Sequence, residues 1–270
     1  MFHIIACQGM TADRNDRAAP GTRQEAAALG ALLGTEPEII GTPGVAVDAG
    51  WEEVLAGSRP TFDLLAETLL RVDTDQYMPV LVLNRCAAAT ATLPIHAARY
   101  PGLCVVWLDA HGDFNTPESS PTGYLGGMVI AAACGLWDSG CGEGVDPSRV
   151  VLGGVRDLDE AEAELISQHR VRVLPPSEIT PELLKEAVGD WPVLIHIDWD
   201  VLQPGTIPTE YRVDRGLSPD HLSKLVEVLA PNAVAVELTE YESTTEEADA
   251  RALETMVTIL RPLFTQIAER

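Results

Sequence analysis

The segment Val105–Asn115, VVWLDAHGDFN, constrains the fold of this chain more than any other stretch. The run Leu103–Leu108 is apolar at every position, the pattern of a strand covered on both faces. It leads directly into Asp109, His111 and Asp113 at every second position. In an extended chain, residues i, i+2 and i+4 share one face, so the spacing predicts three polar groups pointing the same way. The same logic recurs in Val193–Asp200, VLIHIDWD, where Asp198 and Asp200 alternate at a strand's end. One imidazole and four carboxylates form a hard, oxygen-rich donor set that suits Mn²⁺ better than a structural zinc. Two such strand ends point to a metal-dependent hydrolase.

The rest of the chain supplies a setting for them. Strands are predicted at Phe2–Cys7, Val80–Leu83, Cys104–Leu108, Arg149–Leu152, Val171–Val173, Val193–Ile197 and Ala233–Leu238. Amphipathic helices are predicted at Arg23–Leu33, Phe62–Arg71, Ala88–Tyr100, Leu158–His169, Ser177–Val188, Pro219–Leu229 and Glu247–Glu269. This alternation predicts an α/β fold of three layers, a mainly parallel central sheet between helices. Ligands of such sheets gather beyond the strand C-termini, where both acidic clusters lie. No linker-like stretch or repeat divides residues 1–270, so one catalytic domain is expected. Gly41–Gly50 and Thr116–Gly127 are the longest turn-rich segments, and the second follows the first acidic cluster as an active-site loop would.

Forty-one acidic against 18 basic residues leave a net charge of −23, a surface that repels nucleic acid and favours a small cationic ligand. No apolar window approaches the roughly 18–20 residues of a membrane span, and no signal-peptide pattern opens the sequence. The five cysteines, Cys7, Cys86, Cys104, Cys134 and Cys141, are scattered and odd in number, which argues for reduced thiols and a cytoplasmic location.

DAHGDFNTP with its Gly-rich loop, followed by HIDWDVLQP, resembles the ureohydrolase superfamily of arginase, agmatinase and formiminoglutamase over about Pro79 to Ser243. The resemblance implies an arginase-like fold and a Mn²⁺ pair whose bridging hydroxide attacks a guanidine carbon. It implies metal ligation by Asp109, His111, Asp113, Asp198 and Asp200, with Asp113 and Glu240 in catalytic positions. Substrate contacts are implied at Asn115, Thr122 and Tyr124, at Asp159 and Glu162 toward an α-amino group, and at Glu240 toward the guanidinium. Residues 206–215 depart from the family's turn and receive no assignment. Family members often assemble as trimers or hexamers, which leaves a homo-oligomer open.

Two departures bear on the reaction. The family's metal-binding His in a Gly-Gly-Asp-His-Ser motif is replaced by Cys86, within Asn84-Arg85-Cys86. A thiol is a poor ligand unless ionised and a soft one for Mn²⁺, so the first metal site is expected to be weak; otherwise Cys86 is a small buried hydrophobe. Arginase's histidine proton shuttle is replaced by Gly126. His196, on the strand face of Asp198 but about 7 Å upstream, reads as an outer-shell or core histidine. An N-hydroxyguanidine is less basic than a guanidine and would tolerate both losses. The altered motifs resemble the hydroxyarginine-hydrolysing members of the superfamily, which serve D-cycloserine biosynthesis. The expected reaction is therefore Nω-hydroxy-L-arginine to L-ornithine and hydroxyurea. An ordinary arginase-, agmatinase- or formiminoglutamase-type activity, a catalytically silent ligand-binding homologue and a structural metal protein remain as alternatives.

Overall fold

The computed structural model of the chain describes residues 1–269. Its strands are β1 (Phe2–Cys7), β2 (Glu38–Ile40), β3 (Met78–Leu83), β4 (Cys104–Leu108), β5 (Val150–Gly153), β6 (Arg172–Leu174), β7 (Val193–Asp198) and β8 (Ala233–Thr239). They form one sheet in the order β2-β1-β3-β8-β7-β4-β5-β6, and every pairing is parallel. Every residue of β4, β5 and β7 is buried, because helices cover both faces.

The strand pleat feeds two cores. Val106, Leu108, Ile195, Ile197, Val236 and Leu238 face one cluster. It also holds residues of α1 (Ala18–Leu33), α6 (Pro181–Val188), α7 (Pro219–Leu229) and α8 (Glu246–Ala268). Val105, Trp107, Val150, Leu152, Leu194 and Ala235 face the other. There they meet α3 (Ala89–Arg99), α4 (Val129–Ala133) and α5 (Glu160–Gln168), with α2 (Trp51–Arg71) packed beside α3. The result is the three-layer α/β/α architecture expected from the alternation of elements. Among the described residues no helix is long and apolar enough to cross a membrane.

Beyond shifts of up to five residues at element ends, as at the start of α1, three elements differ from the sequence expectation. The edge strand β2 is only three residues long with an exposed centre, too short to show a period. Helix α2 begins at Trp51 rather than Phe62, running through Pro60. Pro60 lies on the exposed side, while Val54, Ser58, Phe62, Leu65 and Leu69 keep a buried stripe whose packing outweighs the lost hydrogen bond. Helix α4 was absent from the expectation because five buried apolar residues are too few to distinguish helix from strand.

One buried charge in this frame has a measurable consequence. Glu25 of α1 is fully buried, and Trp199 Nε1–H donates to its Oε1 at 2.8 Å. Burial pushes its carboxyl up to about 8. The folded chain thus holds this proton more tightly than the unfolded chain, and stability from this group is lost as pH rises from about 4.5 toward 8. Glu25→Gln keeps an acceptor for Trp199 and is expected to flatten that decline by on the order of 2–4 kcal/mol. Thermal melts between pH 5 and 8 check this, and parallel profiles for the two proteins would refute it.

Candidate metal centre and substrate cleft

Strands β3 and β4 follow one another in sequence but lie apart in the sheet, with β8 and β7 between them. The C-terminal ends of these four neighbours deliver Cys86, Glu240, Asp198 and Asp109 to one crevice, at the reversal where open α/β sheets bind ligands.

The acids do converge, though the pleat does not bring them together. Strand β4 ends at Leu108, so Asp109, His111 and Asp113 do not share a strand face as the alternation implied. Instead Asp109 Oδ1 accepts the backbone N–H of His111 at 2.7 Å, turning the chain, and Asp113 adopts a left-handed φ of 49°. Only Asp198 belongs to β7. Its Oδ1 accepts the N–H of Asp200 at 2.7 Å, and Asp200 sits in a single 3₁₀ turn, Trp199–Val201. Short polar side chains bonding their own backbone thus replace the period-2 argument.

Ligand atoms of Asp109, His111, Asp198 and Asp200 lie within 4.8 Å of one another. Those of Cys86, Asp109 and Asp113 do likewise, as do those of Cys86, Asp198 and Glu240. His111 Nδ1 is 3.2 Å from Asp109 Oδ1 and 3.1 Å from Asp200 Oδ2. Burial disfavours its charge, yet hydrogen bonds and charges from these two carboxylates hold the imidazole well above its ordinary range. Burial and mutual repulsion raise Asp113, Asp198 and Asp200, while His111 holds Asp109 below the usual carboxylate range against its own burial. Asp200 Oδ2 is buried, and among the described residues its polar contact is the ion pair with His111 Nδ1 at 3.1 Å. Four buried acids that repel one another and share a single imidazole are what a cation would satisfy, so this donor set fits a hard divalent ion.

Cys86 opens a 3₁₀ turn after β3, where it both lines this centre and packs in the apolar cluster beneath it. Its Sγ lies 3.4 Å from Asp198 Oδ2, 3.4 Å from His196 Nε2 and 3.1 Å from Thr239 Oγ1. Burial, together with Asp198, Glu240, Asp113 and Asp109, pushes its thiol well above the usual value. His196 stands behind Cys86 as expected of an outer-shell histidine. Its Nδ1 lies 2.9 Å from Glu237 Oε2, and its ring stacks on Trp107 at 3.3 Å. Trp107 Nε1–H in turn donates to Asp109 Oδ2 at 2.9 Å, fixing that carboxylate from below.

A cleft of about 230 Å³ opens over the centre. All the expected substrate contacts line it: Asn115, Thr122, Tyr124, Asp159, Glu162 and Glu240. Asn115 Nδ2 reaches Asp159 Oδ2 at 3.4 Å, and Thr122 Oγ1 accepts the N–H of Tyr124 at 3.3 Å. Asp159 precedes α5 without bonding its backbone, leaving its carboxylate to the cleft. Glu162, in the first turn of α5, accepts the N–H of Phe114 at 2.9 Å, and burial raises its carboxyl to about 7.

The sequence reading missed Arg85. Its side chain is fully buried and meets four carboxylates, with Nη1 2.8 Å from Glu240, Nη2 3.0 Å from Glu242 and 3.2 Å from Glu210, and Nε 3.3 Å from Asp13. Glu240 takes a left-handed φ of 70°, and its other oxygen accepts the N–H of Cys86 at 2.7 Å. The only signal in the sequence was a basic residue two positions after an apolar strand. Arg156 was also missed; it donates to the carbonyls of Gly154, Asp200 and Val213, buttressing the turn that carries Asp200. The unassigned stretch 206–215 contributes Tyr211 to the cleft.

Residues 87–265 match the model of the arginase family. The chain belongs to the arginase family. Over 272 residues, all of both chains, it is 41% identical to the N(omega)-hydroxy-L-arginine amidinohydrolase of Streptomyces lavendulae. It is 31% identical to the arginase of Bacillus subtilis (strain 168) over 169 residues, 57% of this chain and 56% of that one. The crystal structure of arginase from Bacillus subtilis superposes with a TM-score of 0.85 at 23% identity, covering 97% of this chain and 98% of that one. The three-layer sheet is therefore an arginase-family fold, and the chain is a hydrolase of C–N bonds in linear amidines.

Proposed function

We propose that this arginase-family member hydrolyses Nω-hydroxy-L-arginine to L-ornithine and hydroxyurea. The carrying observation is the unbroken likeness to the hydroxyarginine amidinohydrolase, where the Bacillus subtilis (strain 168) arginase aligns over little more than half the chain. Two site features support it: Cys86 at the centre and Gly126 in the cleft wall.

In this reading Asp109, His111, Asp198 and Asp200 hold one Mn²⁺, and Cys86, Asp109 and Asp113 offer donors for a second, weaker one. When bound, such ions lower the pKa of a water and so provide a nucleophile at neutral pH. The chain's own residues do the rest. Glu240, held by Arg85 and the Cys86 N–H, orients the guanidine carbon. Asp159 and Glu162 receive the α-ammonium group, whose charge favours an ionised Glu162. Asn115, beside Asp159, and Thr122 meet the α-carboxylate. Water adds to the guanidine carbon, its bond to the ornithine nitrogen breaks, and that nitrogen leaves with a proton. The setting that accompanies this reading is cytoplasmic supply of hydroxyurea to D-cycloserine biosynthesis, by one catalytic domain acting alone or as a homo-oligomer.

Product assays with hydroxyarginine, L-arginine and agmatine, with and without added Mn²⁺, test it. Hydroxyurea release that requires Mn²⁺ and exceeds urea release from L-arginine in kcat/KM is expected. Equal or greater efficiency with L-arginine would reject the reading. Cys86→His is expected to raise bound Mn²⁺ toward two ions per chain, because imidazole replaces a thiol that burial and the surrounding acids keep protonated. Metal analysis after gel filtration checks this, and unchanged stoichiometry would count against Cys86 as a ligand position.

A further inference from the structure

We propose that the Tyr124 hydroxyl recognises the N-hydroxyl oxygen of the substrate and so separates hydroxyarginine from arginine. The inference rests on the amidinohydrolase reading and adds the residue that sets its specificity.

Three observations carry it. Tyr124 lines the cleft together with Cys86 and Glu240, and its phenol lies close enough to Glu240, Arg85 and Cys86 to interact with them electrostatically. Its hydroxyl oxygen is buried and has no hydrogen-bond partner among the described residues. A phenol left this way inside an acidic cleft costs free energy until a ligand completes it. The ring, finally, is held in place. The Arg14 guanidinium lies 4.4 Å over it, and the Tyr211 ring centroid is 6.0 Å away.

Gly126 belongs to the same arrangement. A Cβ at this position would stand 2.5 Å from Tyr124 Cε1, closer than non-bonded carbons approach. The Tyr124 ring therefore fills the space that any side chain at 126 would need. A side chain at 126 and the Tyr124 phenol in this position exclude one another.

The chemistry then discriminates. A guanidinium group carries donors only, whereas the oxygen of an N-hydroxyguanidine has lone pairs. The phenol hydrogen can be accepted by that oxygen and by no atom of the arginine head group. A buried donor that one substrate satisfies and its analogue leaves unpaired is an efficient basis for rejection.

Tyr124→Phe preserves the ring, so the contacts with Gly126, Arg14 and Tyr211 persist. It is expected to lower kcat/KM on hydroxyarginine about 30–100-fold while that on L-arginine stays within about threefold. Gly126→Ala keeps the phenol but displaces its ring, and is expected to lower the same preference. Calorimetric titration of both amino acids into the metal-free protein, which is not expected to hydrolyse either, reads the preference without turnover. A native enzyme that binds hydroxyarginine preferentially but releases no hydroxyurea would reject the amidinohydrolase reading and leave the role of Tyr124 standing. Loss of that binding preference in Tyr124→Phe supports the proposal. A native protein without the preference, or variants that depress both substrates by one factor, would overturn it.

Discussion

Asp198→Asn is expected to lower kcat/KM on hydroxyarginine by at least about 10³-fold while making the metal-free chain more stable. The loss follows from position. Asp198 belongs both to the cluster with Asp109, His111 and Asp200 and to the one with Cys86 and Glu240. A carboxylate shared by the two clusters supports any cation held there, and Lewis-acid stabilisation is worth several kcal/mol, with each 1.36 kcal/mol tenfold in rate. The gain follows from electrostatics. Burial and the charges of Asp200, Asp109 and Glu240 raise Asp198, so without metal its ionised form is disfavoured despite the Asp200 N–H it accepts. The amide keeps an oxygen to accept the Asp200 N–H and removes the charge. A site that stores repulsion until a ligand arrives trades stability for function. Kinetics with added Mn²⁺ and thermal melts in chelator measure both effects. Activity within tenfold of the native enzyme, or a lower melting temperature in chelator, would contradict this account.

Arg85→Met is expected to destabilise the fold by about 3–5 kcal/mol, because it strands buried acids rather than because it removes packing. Methionine fills much of the same volume, so the apolar contacts of the stem survive. What is lost is a guanidinium that meets Glu240 at 2.8 Å and Glu242 at 3.0 Å, both acids almost fully buried. Glu242 retains Arg17 at 2.7 Å, but among the described residues Glu240 has no second cationic side chain. The carboxyl of Glu240 is already raised by burial to about 7 even with Arg85 beside it, so the variant should protonate it and lose its grip on the guanidine. Denaturant titration gives the stability change. A double-mutant cycle with Glu240→Gln then shows whether the two residues act as a unit, since the second substitution should cost far less once Arg85 is gone. Additive losses would mean that the pairing contributes nothing.

The two residues behind these predictions were unequally legible in the sequence. Asp198 announces itself by chemistry and place, an acid at the end of a buried apolar strand, two positions from another. Arg85 has partners from segments scattered along the chain, and no spacing rule connects Asp13, Glu210, Glu240 and Glu242. Tyr124 was visible as a loop residue in the right neighbourhood. Its bond to the identity of residue 126 is a matter of ring against Cβ, which only coordinates reveal.

The sequence by itself determined the parallel sheet and the identity of the acids at its rim. Burial on both faces imposes a nearly continuous apolar run on each central strand; polar residues return where the strand emerges, and two inside the sheet, His196 and Glu237, pair with each other at 2.9 Å. Tertiary structure alone decided how those acids meet. Turns closed by Asp109 and Asp198 on their own backbone, and left-handed backbone at Asp113 and Glu240, set the geometry that an extended-chain argument described incorrectly. Such turns depend on a few short hydrogen bonds and on charges converging from distant segments, and these carry no periodicity to read.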